Sequence, residues 1–376
     1  MKEENPILTI KSLLAGDAAL RDLVEQSLQQ AAQANPHLRT NPVRTVDDWF
    51  AYLEHFLHHM PWQTMDIGED ASFFRRIDQN IGYFYFLLDQ PLDALKDHGY
   101  WYPSLQYEPR IAAWLVEYNK AWGEWLSSPD SWKDEYYQLA RTDSRFELDS
   151  DRYESPDNWH CWNDFFARKL NFEIINHKSK IVSPSDGVIM DFPIKTMSAN
   201  SPQALLGDSP YAHRFEDGKA IHLVLDVFDY HRFHAPCAGT IVEQKIIPGI
   251  HAGGGIIIWD EAEQRYRYDQ LGATGFQSME TRGVLVLDTP DFGSIALIAV
   301  GIQQVSSVVW SSNLKSKIEN QKSNTVHKND ELGRFEFGGS DIILLFEQGK
   351  APRFEIGKTV KVGDNLTKKA EKHRKV

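Results

Sequence analysis

A polar, turn-rich break at residues 142–158 divides this chain into two stretches with different hydrophobic patterns. Before the break, apolar residues recur at helical spacing. Trp49, Leu53, Phe56, Leu57 and Met60 form one face, opened by the capping-box pair Thr45 and Asp48. Phe73, Phe74, Ile77, Ile81, Phe84 and Leu88 form a second, closed by Pro91. Ile111, Trp114, Leu115, Tyr118, Trp122 and Trp125 form a third. After the break, short β-rich runs at 239–247, 283–288, 294–300, 303–310 and 341–347 alternate with glycine, proline and polar turns. The expected fold class is α+β, with an α-helical domain over 1–150 and a mostly β domain over 151–376. A chain of 376 residues has ample material for two such cores.

The helical stretch is rich in aromatics, including Tyr83-Phe84-Tyr85-Phe86 and Trp101-Tyr102. Packing between helices accounts for them ahead of a substrate-facing wall. His55, His58 and His59 lack a cysteine or acidic partner at ligand spacing, so an exposed helix face is expected and no metal. A net charge of −13 and a pI near 5.5 argue against nucleic acid and against general attraction to anionic membranes. Two cysteines, Cys161 and Cys237, give no disulfide framework and fit a reducing, cytoplasmic setting. The N-terminus carries no apolar signal core, and no stretch reaches the roughly 18 apolar residues of a membrane span.

Three short motifs carry the chemistry. Gly338-Gly339-Ser340 reads as a tight turn between the strand-like Arg334–Phe337 and Ile342–Phe346. Glycine permits the strained backbone in which a serine hydroxyl attacks the carbonyl before it. Asp229-Tyr230-His231-Arg232-Phe233-His234-Ala235-Pro236 follows the apolar run 221–225 and forms a plausible acid/base cluster. Ser183-Pro184-Ser185-Asp186-Gly187 is a turn into a strand. Asp186, His234 and Ser340 could form a relay in which the carboxylate orients the imidazole and the imidazole deprotonates the hydroxyl.

In this order the motifs resemble the phosphatidylserine decarboxylase family. Phe165-Phe166-Ala167-Arg168-Lys169-Leu170, Leu205-Leu206-Gly207 and Val300-Gly301 extend the likeness over most of 160–349. The resemblance implies an inactive proenzyme that cleaves itself between Gly339 and Ser340. Ser340 attacks the Gly339 carbonyl to give an ester. β-Elimination breaks the chain, and the serine remnant hydrolyses to a pyruvoyl group capping residues 340–376. Asp186 and His234 match the residues that serve cleavage, and His231 matches the one that handles protons during decarboxylation. The pyruvoyl cofactor forms a Schiff base with the substrate amine and accepts the electrons left as carbon dioxide departs. The resemblance also implies barrel-sandwich-like hairpins in the C-terminal part.

Three departures stand out, the first beside the self-processing serine and the other two at the substrate pocket. Asp341 stands where threonine or serine is common, Glu280-Thr281-Arg282 where many members have Asn-Glu-Arg, and Ile302-Gln303-Gln304-Val305-Ser306-Ser307 replaces Ala-x-x-Val-Gly-Ser. The last resembles a soluble branch that includes fungal tryptophan decarboxylases and also carries a helical N-terminal extension. Phosphatidylserine is the expected substrate, with tryptophan or another free aromatic amino acid the alternative. A hydrolase using Asp186, His234 and Ser340 without self-cleavage, or a non-catalytic binding relative in which Asp341 blocks maturation, are the readings from other classes. The expected partner is a small-molecule or lipid head-group substrate. Peripheral membrane contact, through an apolar helix face or the basic tail 368–375, and homo-oligomerisation stay open.

Overall fold

The computed structural model describes residues 5–65, 67–68, 71–174, 178–195, 198–269, 275–303, 306–314 and 324–367. The helices are α1 (Pro6–Gly16), α2 (Ala18–Ala34), α3 (Val46–Phe56), α4 (Phe73–Phe86), α5 (Pro109–Leu126), α6 (Asp134–Arg141), α7 (Trp162–Phe166) and α8 (Pro202–Leu206). Thr45 and Asp48 make both halves of the capping box at α3. Helix α4 stops at Phe86, short of Pro91. The chain leaves the helix there because the buried Asp89 carboxylate accepts from Ile257 N at 2.7 Å and Ser104 Oγ at 2.9 Å.

The aromatic residues of this region pack on one another. Phe56 and Trp122 lie 4.8 Å apart between ring centroids, and Trp49 and Trp114 5.5 Å apart. The same apolar core continues past the polar break through Tyr153, Trp162, Phe166, Tyr230 and Phe337.

The strands are β1 (Gly187–Phe192), β2 (Lys219–Leu225), β3 (Arg232–His234), β4 (Gly239–Ile247), β5 (Ile256–Asp260), β6 (Arg265–Asp269), β7 (Arg282–Thr289), β8 (Gly293–Ile302), β9 (Val308–Trp310), β10 (Thr325–Val326), β11 (Glu331–Phe335), β12 (Gly339–Phe346) and β13 (Thr359–Val360). Among the described residues the main sheet runs β10-β4-β7-β8-β12-β2-β1-β13 with antiparallel neighbours. A smaller sheet runs β3-β11-β9, and β5-β6 is a separate hairpin. Among the described residues these sheets are open and do not close into a barrel.

Strand β12 pairs with β8 and β2 along its length. Ile342, Leu344 and Phe346 enter one apolar cluster, and Ile343 and Leu345 enter the other. Burial on both faces explains why 342–346 reads as one apolar run rather than an alternation.

Two expectations shift. Among the described residues of 303–310, strand structure is confined to Val308–Trp310. Gln303 and Ser306 have φ of 61° and 42°, outside the range of a strand, and Ser306 Oγ donates to the Gln303 carbonyl. Gln304 and Val305, like the tail 368–375, lie outside the described residues. At the Gly-Gly-Ser segment, the corner is at Gly338, with φ 149°. Gly339 and Ser340 already belong to β12, and β11 and β12 lie in different sheets.

Candidate active site

Ser340 sits near the start of β12, opposite Leu225 of β2 and Gly301 of β8. It is 1% exposed, and its Oγ has no hydrogen-bond partner. A buried unpaired hydroxyl costs about 1–3 kcal/mol, so one at this position calls for a chemical reason. The surrounding backbone is crowded. A Cβ on Gly301 would lie 2.5 Å from the Ser306 carbonyl carbon, because the Ser306 backbone lies directly against it. A Cβ on Gly339 would meet the Gln303 side chain at 3.1 Å.

The residues before Gly339 are clamped by the helical part. Phe337 N donates to Asn163 Oδ1 of α7 at 2.9 Å. Its ring packs edge-on against Trp122 of α5, Trp162 and Phe166. A polar cavity of about 600 Å³ reaches this segment through Asn163, Arg334 and Glu336.

His231 shares that clamp. Its ring stacks on Phe166 with centroids 3.8 Å apart. Nδ1 lies 2.9 Å from the Asp229 carbonyl, which can only accept, so Nδ1 carries the proton. Nε2 is therefore a lone pair, and it is buried without a partner. Burial and then the Arg168 guanidinium push the His231 pKa down to about 3. The imidazole is neutral throughout the physiological range. Arg168 is itself wholly buried, donating to the carbonyls of Phe228 and Asp229 and lying 4.4 Å over the Tyr153 ring.

His234 is arranged differently. Nδ1 donates to the Asn329 carbonyl at 2.8 Å, so Nε2 accepts from the Tyr230 hydroxyl at 3.0 Å. Its backbone N donates to the Pro184 carbonyl at 2.8 Å, joining the histidine block to the Ser-Pro-x-Asp-Gly turn. The side chains of the two motifs part from there. Asp186 is fully buried and takes Arg152 Nη2 at 2.8 Å to each oxygen, Lys361 Nζ at 3.2 Å and Val362 N at 2.9 Å. Gly187 turns at φ 137°, and a Cβ there would lie 2.6 Å from the Val224 carbonyl oxygen. Asp186 thus holds an ion-pair cluster, and the His234 ring is oriented by Asn329 and Tyr230 rather than by a carboxylate.

Asp341 points away from Ser340, because successive strand residues face opposite sides. Its carboxylate takes His222 Nδ1 at 3.0 Å and Gln277 Nε2 at 3.3 Å.

The family model described as phosphatidylserine decarboxylase matches residues 162–368, from α7 to the end of the described chain. This chain belongs to the phosphatidylserine decarboxylase family. Residues 1–161 lie outside the matched stretch. A phosphatidylserine decarboxylase proenzyme of Fusobacterium nucleatum is 28% identical, over 65% of this chain and 80% of its own length. One from Anaeromyxobacter sp. is 31% identical, over 59% and 83% respectively. Proenzyme 2 of Clostridium acetobutylicum is 30% identical, over 54% and 66%. As a member of this family the chain is a decarboxylase.

Sequence reasoning gave no role to Tyr230, Arg168, Asn329, Arg152, Lys361, His222 or Gln277. Tyr230 and Arg168 stand inside the family blocks and carried a signal. Arg152 and Lys361 meet Asp186 only through the fold, and nothing local marked them.

Proposed function

We propose that this chain is a self-processing decarboxylase that converts phosphatidylserine to phosphatidylethanolamine and carbon dioxide. The observation that carries the proposal is Ser340 Oγ, buried and unpartnered beside the glycine corner at 338. A hydroxyl without a hydrogen bond is free to turn onto the preceding carbonyl, and Gly339 offers no side chain to obstruct it.

In this reading Oγ attacks the Gly339 carbonyl carbon, and the peptide nitrogen leaves as an amine, forming an ester. Loss of the Ser340 α-proton with cleavage of the Cβ–O bond releases residues 1–339 with a terminal carboxylate. Water then replaces the nitrogen of the remnant, releasing ammonia and leaving a pyruvoyl group at 340. The unpaired Oγ and the side-chain-free residue before it fit that product. When formed, the pyruvoyl group supplies an electron sink for the pair left behind by carbon dioxide.

Ser340 is assigned as nucleophile, with His234 and Asp186 serving cleavage and His231 serving decarboxylation. His234 would take the proton at Nε2 once the Tyr230 hydroxyl turns away, or receive it through that hydroxyl. Asp186 would act by holding the turn that carries the Pro184 carbonyl against His234. His231 offers its bare Nε2 to accept or hold a proton in a water-poor site. The family's curated relatives place phosphatidylserine ahead of a free aromatic amino acid, and the packing of the N-terminal aromatics on one another leaves them no need of a ligand. No helix among the described residues is long and apolar enough to cross a membrane, so contact with a lipid would be peripheral.

Intact mass of the purified protein tests maturation, and carbon dioxide release from phosphatidylserine liposomes tests the substrate. Two chains split at 339/340 together with release from liposomes support the proposal. Release from free tryptophan alone rejects the lipid substrate. A single chain after long incubation rejects self-processing.

A further inference from the structure

We propose that His222, Asp341 and Gln277 anchor the new chain end after cleavage and hold the reacting group in the sheet. This inference rests on the self-processing reading. Cutting the 339–340 bond turns the middle of a continuous chain into a strand terminus. Chain ends fray unless pairing or side-chain contacts tie them down. Asp341 is the first residue of β12 beyond the reacting position, and its carboxylate is 97% buried on the face away from Ser340 Oγ.

Its partners come from two other segments. His222 lies on the neighbouring strand β2, opposite Ile343, and donates from Nδ1 to Asp341 Oδ2 at 3.0 Å. Gln277 lies in the short helical turn 276–278 and donates from Nε2 to the same oxygen at 3.3 Å. Asp341 Oδ1 has no partner, so the pair carries most of the compensation for burying this carboxylate. Pairing with β2 and β8 holds the strand, and the side-chain bonds of Asp341 add to it at the position where cleavage removes the upstream neighbour.

The anchor is pH-dependent. The charged groups facing His222 are Asp341 on β12 and Asp191 on β1, with the Phe192 ring edge-on at 5.5 Å. Burial opposes protonation of His222, but the two carboxylates outweigh it and raise its pKa above the ordinary value. A raised histidine pKa stabilises the folded form fully below the unfolded value of about 6.5, and that stabilisation is lost as pH rises through the folded pKa. The anchor therefore weakens on the alkaline side.

The test uses the matured, split protein and begins with its intact mass, which decides the self-processing reading separately. Hydrogen exchange of amides 341–346, corrected for intrinsic rates, is then measured from pH 6 to 9 in wild type, His222→Gln and Asp341→Asn. Wild type should lose protection at these amides, by about tenfold or more, as pH rises, while β7 stays protected. Both variants should exchange fast at every pH, with a reduced kcat and little change in KM. Decarboxylation by wild type should show an alkaline limb that His222→Gln lacks. Flat, pH-independent protection in split wild type overturns the proposal without needing any variant to fold. So do superimposable pH–rate profiles for wild type and His222→Gln.

Discussion

Two histidines of one short block sit three residues apart, yet their surroundings are opposite. At the His234 end both ring nitrogens are occupied, and nearby Asp186 takes hydrogen bonds on both oxygens from Arg152, Lys361 and Val362. His231 Nε2 is bare, and so is Ser340 Oγ near the start of β12. Saturated buried groups hold a fold together. Unsatisfied ones cost stability. The comparison teaches that matching a motif residue by residue does not reveal which member is free to react.

The largest expected effect lies at the bare end. Ser340→Ala removes the nucleophile and should abolish splitting altogether, leaving one chain of full mass. A mutant that still splits at 339/340 would transfer the role to another group. Next comes His231→Ala. A general acid or base is worth roughly 10²–10⁴-fold in rate, and decarboxylation of phosphatidylserine should fall by that order. Splitting should survive better than in His234→Ala, as followed by gel and mass. If both variants split and decarboxylate alike, the contrast between the two ends has no functional content.

Much of the architecture was legible before any coordinates. The helical period marked α3, α4 and α5, and the capping pair at Thr45 fixed the start of α3. The runs at 239–247 and 341–347 fell on β4 and β12, where β-rich segments are bounded by glycine and polar turns. Ser340 was misplaced by local reasoning, which read a turn where a strand had begun. Gly339 lacks any side-chain signal of pairing, and its pairing with Ile302 of β8 comes only from the fold. The relay of Asp186 to His234 was misread for a similar cause. The cations that hold Asp186 lie at 152 and 361, far away in sequence, and long-range ion pairs leave no local trace.

Asp186→Asn sharpens the comparison at the saturated end. It leaves Arg152 and Lys361 facing a neutral amide in a buried cluster. Breaking one side of a buried ion pair costs about 3–5 kcal/mol, so urea midpoints should fall markedly at pH 7. If the destabilised protein still splits at the wild-type rate at low temperature, Asp186 acts only on stability. Slow splitting at a temperature where circular dichroism shows it folded would keep Asp186 in the cleavage machinery.

The smallest expected effect is at Tyr230, and it separates the two routes to His234. Tyr230→Phe removes the hydroxyl that donates to Nε2 but keeps the ring, which stacks on His234 at 5.8 Å between centroids. His234 Nδ1 still donates to Asn329, so the ring keeps its orientation. Loss of one buried hydrogen bond costs about 1–3 kcal/mol, too little to unfold a typical domain. If His234 takes the serine proton directly, an unblocked Nε2 should split the chain as fast as wild type or faster. If the hydroxyl relays the proton, splitting should slow in step with His234→Ala. The time course of splitting after rapid refolding, read by mass at matched folded fractions, decides between them. Faster splitting would make the Tyr230 bond a restraint on the proenzyme, and slower splitting would make it a link in the proton path.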